Sequence, residues 1–306
     1  MPTQTSRSGL LFALVAYLLW GFFPVYWKLL TGVGAFEILG HRIVWSLGFV
    51  LALLAARRHW SWVRALLREP RVLATYAVAA CFVGANWALY IWAVNSGHVV
   101  ETSLGYFINP LINVLFGALL FGERLRRLQK WAVGLAASGV LYLTIAHGHP
   151  PWISLTLATS FAIYGVLKKK GPLGSVEGLT VETAILFIPA MVWLLSLERE
   201  GTGSFGHASP LTQTLLAFSG VATALPLLCF GAAVRRLTLT TLGLMQYIAP
   251  TIQFLLGVFL YHEPFSSTRA VGFALIWSGL IVYTAESLLN HRRTRRQALL
   301  ASYEAA

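Results

Sequence analysis

The stretch PLINVLFGALLFGE, residues 110–123, is answered by PTIQFLLGVFLYHE at residues 250–263. In both, a proline is followed after seven residues by glycine (Gly117, Gly257) and after six more by glutamate (Glu123, Glu263), with an amide at the same place, Asn113 and Gln253. The offset of 140 also aligns Lys28 with Lys168, Glu37 with Glu177, Leu39 with Leu179, Ile108 with Ile248 and Leu115 with Leu255. Beyond the glutamates, Ala132-Val133-Gly134 matches Ala270-Val271-Gly272 after a small gap. The chain is therefore read as one unit written twice.

The solvent of that unit follows from composition. Hydrophobic residues make up 57% of the 306 positions and charged residues 11%, with a mean hydropathy of +0.68. A soluble domain carries about 25% charged residues, and could not cover runs such as Leu10 to Val25, Ile43 to Ala56 and Leu111 to Phe121. Lipid is their natural surrounding. The net charge of +12 does not signal nucleic acid, because the basic residues fall in short segments between apolar runs. Cys81 and Cys229 lie inside apolar stretches and read as small core residues rather than a disulfide or a metal site. Met1 to Ser8 is too short and polar for a cleavable signal, so the first apolar run reads as a retained span.

Taking about 20 residues per crossing, spans fall near 9–28, 35–56, 72–95, 102–122, 130–147, 151–168, 177–197, 211–234, 240–261 and 268–289. With the N-terminus in the cytoplasm, 19 of the 23 Lys and Arg residues lie inside, three (Lys28, Arg199, Arg269) lie outside and Arg42 lies within a span. Both termini are accordingly expected in the cytoplasm. The domains read as a first five-helix repeat (1–147), a second, inverted one (148–290) and a basic cytoplasmic tail (291–306). Five is odd, so equivalent helices cross in opposite directions, and inward-open and outward-open shapes come close in energy. That is the requirement for alternating access.

Further residues carry a resemblance: Leu18-Leu19-Trp20-Gly21, the Gly40 to Ser46 stretch GHRIVWS, Gly84-Ala85-Asn86-Trp87, Ser103 to Leu111 (SLGYFINPL), Gly122-Glu123-Arg124 and Gln246-Tyr247-Ile248-Ala249-Pro250-Thr251. Across about residues 8 to 290 the chain resembles the RarD proteins of the EamA branch of the drug/metabolite transporter superfamily. The resemblance implies a bacterial inner-membrane permease, an all-α integral membrane protein with ten helices in an EamA-like basket around a central cavity, and a family name tied to chloramphenicol sensitivity.

Polar side chains in hydrocarbon are costly and mark cavities or helix contacts. Tyr106, Asn109, Asn113 and Gly117 fall on one stripe of span four, and Gln246, Pro250, Gln253 and Gly257 on the matching stripe of span nine. The two stripes are expected to face each other across the cavity, with Asn113 and Gln253 meeting a polar group of the substrate. The competing reading is that the amides only join neighbouring helices. Asn86, Trp87 and Tyr90 on span three, with Trp20, Tyr17 and Tyr164, supply candidate aromatic and amide walls for a flat organic solute or an aromatic amino acid. Pro110 and Pro250 are expected to act as helix hinges.

Charge inside the membrane is the sharper signal. Arg42 in span two and Glu182 in span seven are repeat equivalents of opposite sign, open to an ion pair or to separate interfacial roles. Glu182, or His41 with its titration near about 6.5, is a candidate proton carrier for coupling. Glu123 and Glu263 close their spans as gates or latches, each expected to pair with a base such as Arg126, Arg127 or Arg269, while Lys28 and Lys168 read as end anchors. The chain has no Asp and none of the common zinc, nucleotide or serine-hydrolase motifs, so it reads as no enzyme and calls for no cofactor or metal. A secondary transporter of small organic solutes is the first reading. A lipid or lipid-linked carrier, or a non-transporting scaffold, stands as the alternative. The partners expected are a small-molecule solute, the lipid bilayer and protons, without nucleic acid; the sequence does not set an oligomeric state.

Overall fold

Hydrocarbon offers no water to an unpaired backbone N–H or C=O, so an apolar run must close those bonds within itself as a helix. The computed structural model describes residues 7–58, 60–121, 125–234, 236–237 and 245–304, and among them there are helices and no strand. The first span is α1 (Arg7–Gly21) followed by α2 (Phe23–Lys28). The break falls at Phe22, just ahead of Pro24, which has no N–H to continue the ladder. Span two is α3 (Ala35–Arg57), and a short α4 (Ser61–Leu67) leads to span three, α5 (Pro70–Asn95). The spacing of apolar residues does not reveal α4, which buries Leu66 against Tyr76 and Val181 and leaves Leu67 outside. Spans four to eight are α6 (Val99–Phe121), α7 (Arg127–His147), α8 (Trp152–Lys170), α9 (Ser175–Arg199) and α10 (Pro210–Val234). Span nine is α11 (Ile248–Leu255) extended by a π turn, Leu256–Leu260, and span ten is α12 (Ser267–Glu304).

Seven of these spans are long and apolar enough to cross a bilayer by length and composition, while Trp152–Lys168 and Ile248–Leu260 are shorter apolar helices. With α6, 23 residues long, they make the ten-helix membrane fold. The outward faces suit lipid: Ile145 is 73% exposed and Ile188 69%. Cys81 lies on this outer face and not in the core expected for it.

The main pairings of helices are unchanged when the two sets of five are exchanged. Helix α1 packs on α10 as α8 packs on α5, α11 on α1 as α6 on α8, and α10 on α3 as α5 on α9. Each of α3, α6 and α7 also packs on its own counterpart, α9, α11 and α12. The last pair shows the symmetry at atomic scale. A Cβ on Gly139 would stand 2.9 Å from the carbonyl oxygen of Gly272, and one on Gly279 would stand 2.6 Å from that of Ala132. Gly279 is 140 residues after Gly139, and Gly272 is 140 after Ala132. The offset therefore runs unbroken through α7 and α12, and the gap implied by Ala132-Val133-Gly134 is not needed.

Two backbones in contact leave no room for a methyl group. Gly279→Ala is expected to destabilise the bundle by about 1–3 kcal/mol, read as a lower thermal midpoint in detergent. Gly134→Ala, at a position of α7 with nothing within 4 Å, should leave the midpoint unchanged or raise it slightly.

Candidate functional site

Helix α3 carries Arg42 into the interior, where it is 4% exposed. Its Nε donates to Thr223 Oγ1 of α10 at 2.6 Å, and Thr223 in turn donates to the Ser219 carbonyl at 2.9 Å. Aromatic rings enclose the guanidinium, whose Cζ lies 4.1 Å from the Trp87 ring centroid, 5.2 Å from Trp27 and 5.9 Å from Phe23. The break between α1 and α2 turns Phe23 and Trp27 inward, and both are buried. Tyr90 and Tyr106 pack edge to face at 5.7 Å within electrostatic reach of the same charge. Tyr26 donates to the Leu215 carbonyl of α10. Arg42 Nη1, Trp27 Nε1 and Tyr90 Oη are buried and have no hydrogen-bond partner.

Glu182 is not the partner of Arg42. Its carboxylate lies 2.9 Å from Lys168 Nζ and accepts from Tyr164 Oη at 3.1 Å. Lys168 also sits 5.2 Å from the ring of Tyr76, whose hydroxyl accepts from the Leu173 N–H at 3.1 Å. Lys168 is thus an internal counter-ion and not an end anchor. Its equivalent Lys28 has its Nζ over the ring of Tyr261, 4.4 Å from the centroid. A lysine beside a carboxylate is attracted, and a lysine beside an arginine is repelled. The opposite signs at positions 42 and 182 therefore turn one symmetric scaffold into two different polar clusters.

The predicted amides are mostly turned between helices. Asn86 Nδ2 donates to the Leu157 carbonyl at 2.9 Å and Ser160 Oγ at 2.8 Å, tying α5 to α8. Asn109 Nδ2 donates to the Ala158 carbonyl of α8 at 3.0 Å and Asn113 Nδ2 to Asn109 Oδ1 at 3.0 Å. Gln253 Nε2 donates to the Trp20 carbonyl of α1 at 2.9 Å, while its Oε1 is buried without a partner. The amides of Asn109 and Gln253 thus turn to the equivalent neighbours α8 and α1, while Gly257 of the second stripe packs on Val100 of α6. Trp20 packs on Tyr17 at 5.6 Å and Phe230 at 5.5 Å, and Gln246 lies half-buried in the turn before α11. Pro110 lies inside α6 and Pro250 in the first turn of α11. His41 packs against the ring of Phe205 at 4.9 Å.

Glu263 has a partner the sequence reading did not anticipate. Its two carboxylate oxygens accept from the Val99 N–H at 2.7 Å and the Val100 N–H at 2.8 Å, capping the start of α6 from the end of α11. The positive end of a helix dipole is a better partner for a carboxylate than a solvated arginine. Arg269 instead lies 3.7 Å from Glu101 and donates to the Pro264 carbonyl. The Gly257 position permits this approach, since a Cβ there would meet Val100 Cγ2 at 2.8 Å. Glu123 lies outside the described residues. Arg126 reaches Glu286 in a two-point contact, 2.6 Å from Nε and 2.9 Å from Nη2.

An apolar groove of about 680 Å³ lies between α6, α11 and α12, with Phe107, Phe254 and Trp277 among its walls. Its lining residues Leu255 and Ile281 are exposed, so it belongs to the lipid side. Among the described residues no group of three or more His, Cys, Asp or Glu side chains is placed to hold a metal ion.

Ten apolar helices in two exchangeable sets around buried charge define a multi-pass membrane protein of the transporter class. The model of the EamA-like transporter family matches residues 7–145. A protein named RarD from Streptomyces exfoliatus is 52% identical over 94% of this chain and 92% of its own. Another so named, from Escherichia coli, is 43% identical over 97% of this chain and 100% of its own. A crystal structure 22% identical in sequence superposes with a TM-score of 0.56, covering 91% of this chain and 98% of that one, and shares the fold. The chain belongs to the RarD proteins of the EamA-like transporter family, membrane transporters of the drug/metabolite superfamily.

Removing one member of a buried ion pair strands the other, at a cost of about 3–5 kcal/mol. Lys168→Met is therefore expected to lower the thermal midpoint more than the double variant Lys168→Met/Glu182→Leu, as unfolding of the purified proteins in detergent will show.

Proposed function

We propose that the chain is a secondary transporter that moves small organic solutes across the bacterial inner membrane by alternating access. In this reading residues 1–147 and 148–290 are the two repeats, both termini are cytoplasmic, and 291–306 form a basic tail at the inner surface. The observation that carries it is the exchange symmetry of the helix pairing around the buried aromatic cluster at Arg42. A symmetric bundle has two shapes of similar energy, and a buried polar cluster in hydrocarbon is the usual mark of a solute path. A scaffold needs neither.

The roles divide by what each side chain has left to offer. Trp87, Tyr90, Tyr106 and Gln253 contact the solute, the last through Oε1; Asn86, Asn109 and Asn113 hold the walls, with Trp20 and Gln246 beside them. Pro110 and Pro250 let α6 and α11 bend. Glu263 is the latch between α11 and α6, and Glu182, released from Lys168 on protonation, couples transport to protons, with His41 as the second candidate. The groove beside Trp277 favours a second reading, a lipid or lipid-linked carrier.

Purified protein in liposomes should give saturable counterflow of at least one solute from a panel of aromatic amino acids, aromatic acids, their amides and chloramphenicol. Gln253→Ala should reduce that flux about tenfold, the loss of one or two hydrogen bonds. Glu182→Gln should abolish dependence on a pH gradient while exchange continues. Lipid movement without any solute counterflow would replace this reading with the carrier.

A further inference from the structure

The Arg42 cluster has an excess of donors. A guanidinium in the middle of a membrane bundle needs a counter-charge, because burying a cation without one is among the larger penalties in protein energetics. Among the described residues no carboxylate forms an ion pair with Arg42. The repeat equivalent of Arg42, Glu182, is held by Lys168, and the buried Glu37 on the same helix accepts from the N–H and hydroxyl of Ser204. Thr223 satisfies only Nε. Ring faces contribute to holding a cation, but they accept no conventional hydrogen bond from Nη1. Trp27 Nε1, a donor and never an acceptor, is buried at 0% exposure without a partner, and Tyr90 Oη is buried without one as well.

We infer that Arg42, Trp27 and Tyr90 form the anion subsite of the transport chamber, and that the solute carries a carboxylate beside a flat apolar body. Two oxygens on one carbon match the planar guanidinium, and the same group accepts from an indole N–H and a phenolic O–H. Trp87, stacked on the guanidinium at 4.1 Å, provides an apolar wall for the body. A simple cation is excluded by the charge of Arg42, and a neutral amide brings its own donors into a site already rich in them. This inference rests on the transporter reading and names the chemistry that reading leaves open.

The test uses the full chain in nanodiscs of zwitterionic phosphatidylcholine, in a zwitterionic buffer of low ionic strength. Benzoate, phenylacetate and 3-phenylpropionate are compared with their amides, with phenylethylamine and with sodium chloride, by thermal unfolding. At least one carboxylate should raise the midpoint saturably, by ~5 °C at about 100 times its Kd, and bind at least about tenfold more tightly than its amide. Arg42→Gln should abolish that response, Arg42→Lys should retain a weakened one, and Tyr90→Phe should weaken it severalfold. Should Arg42→Gln fail to fold, Trp27→Phe and Tyr90→Phe carry the comparison. Equal responses to carboxylate and amide, a carboxylate response surviving in Arg42→Gln, a response to chloride without preference for carboxylates, or no response to any acid would each overturn the inference. Its failure is separable from that of the transporter reading. Saturable counterflow of a neutral solute, uncompeted by the acids, would sink the anion subsite and leave transport standing, whereas absence of counterflow for every solute would remove transport itself.

Discussion

In hydrocarbon a hydrogen-bond donor has no water to fall back on, so each one must find an acceptor within the chain or wait for one to arrive. Most of this protein can be read as the first case. The amides of Asn86 and Asn109 close on carbonyls of α8, Gln253 closes on the carbonyl of Trp20, and the buried N–H groups at the head of α6 close on Glu263. These bonds run between helices that also pack tightly, and together they fix which helices are neighbours. Asn95 Nδ2 and Trp277 Nε1 are also buried without a partner, but only at Arg42, Trp27 and Tyr90 do such donors gather around a buried charge.

The repeat explains both the order and the exception. Duplication gives two copies of every helix contact, visible down to the glycines of α7 and α12. Divergence at a single pair of positions then changes the electrostatics without disturbing the scaffold. Glutamate at 182 draws in Lys168, giving a neutral, closed cluster at the junction of α5, α8 and α9. Arginine at 42 leaves Lys28 over Tyr261 and gathers Trp27 and Trp87 instead. The fold is symmetric, and its chemistry is not.

Much of this was legible from residue order. Helix length follows from apolar runs, and the proline, glycine and glutamate of 110–123 and 250–263 disclose the duplication. Arg42 and Glu182 are conspicuous because charge is rare inside spans. The partners are another matter. Lys168 finds Glu182 across a helix turn-around, Glu263 finds Val99 across 164 residues, and Asn109 turns to α8 because of a rotation of α6 that a stripe alone does not specify. Periodicity names the face of a helix and leaves open which neighbour that face meets. The break at Phe22, just ahead of Pro24, falls inside what reads as one span over residues 9–28, and only packing shows that it delivers Trp27 to the guanidinium.

Helix α12 is 38 residues long, about 57 Å at the usual rise, against a hydrocarbon layer of about 30 Å. Its backbone stays helical through residue 304, well past the end of the apolar run near 289. The last four turns therefore run roughly 20 Å beyond the apolar part of the helix. The C-terminal end of the chain is carried on a stiff arm and not on a tether. A protein fused there would keep a fixed angle to the tenth span and swing with it, so its orientation would report the tilt of the second repeat.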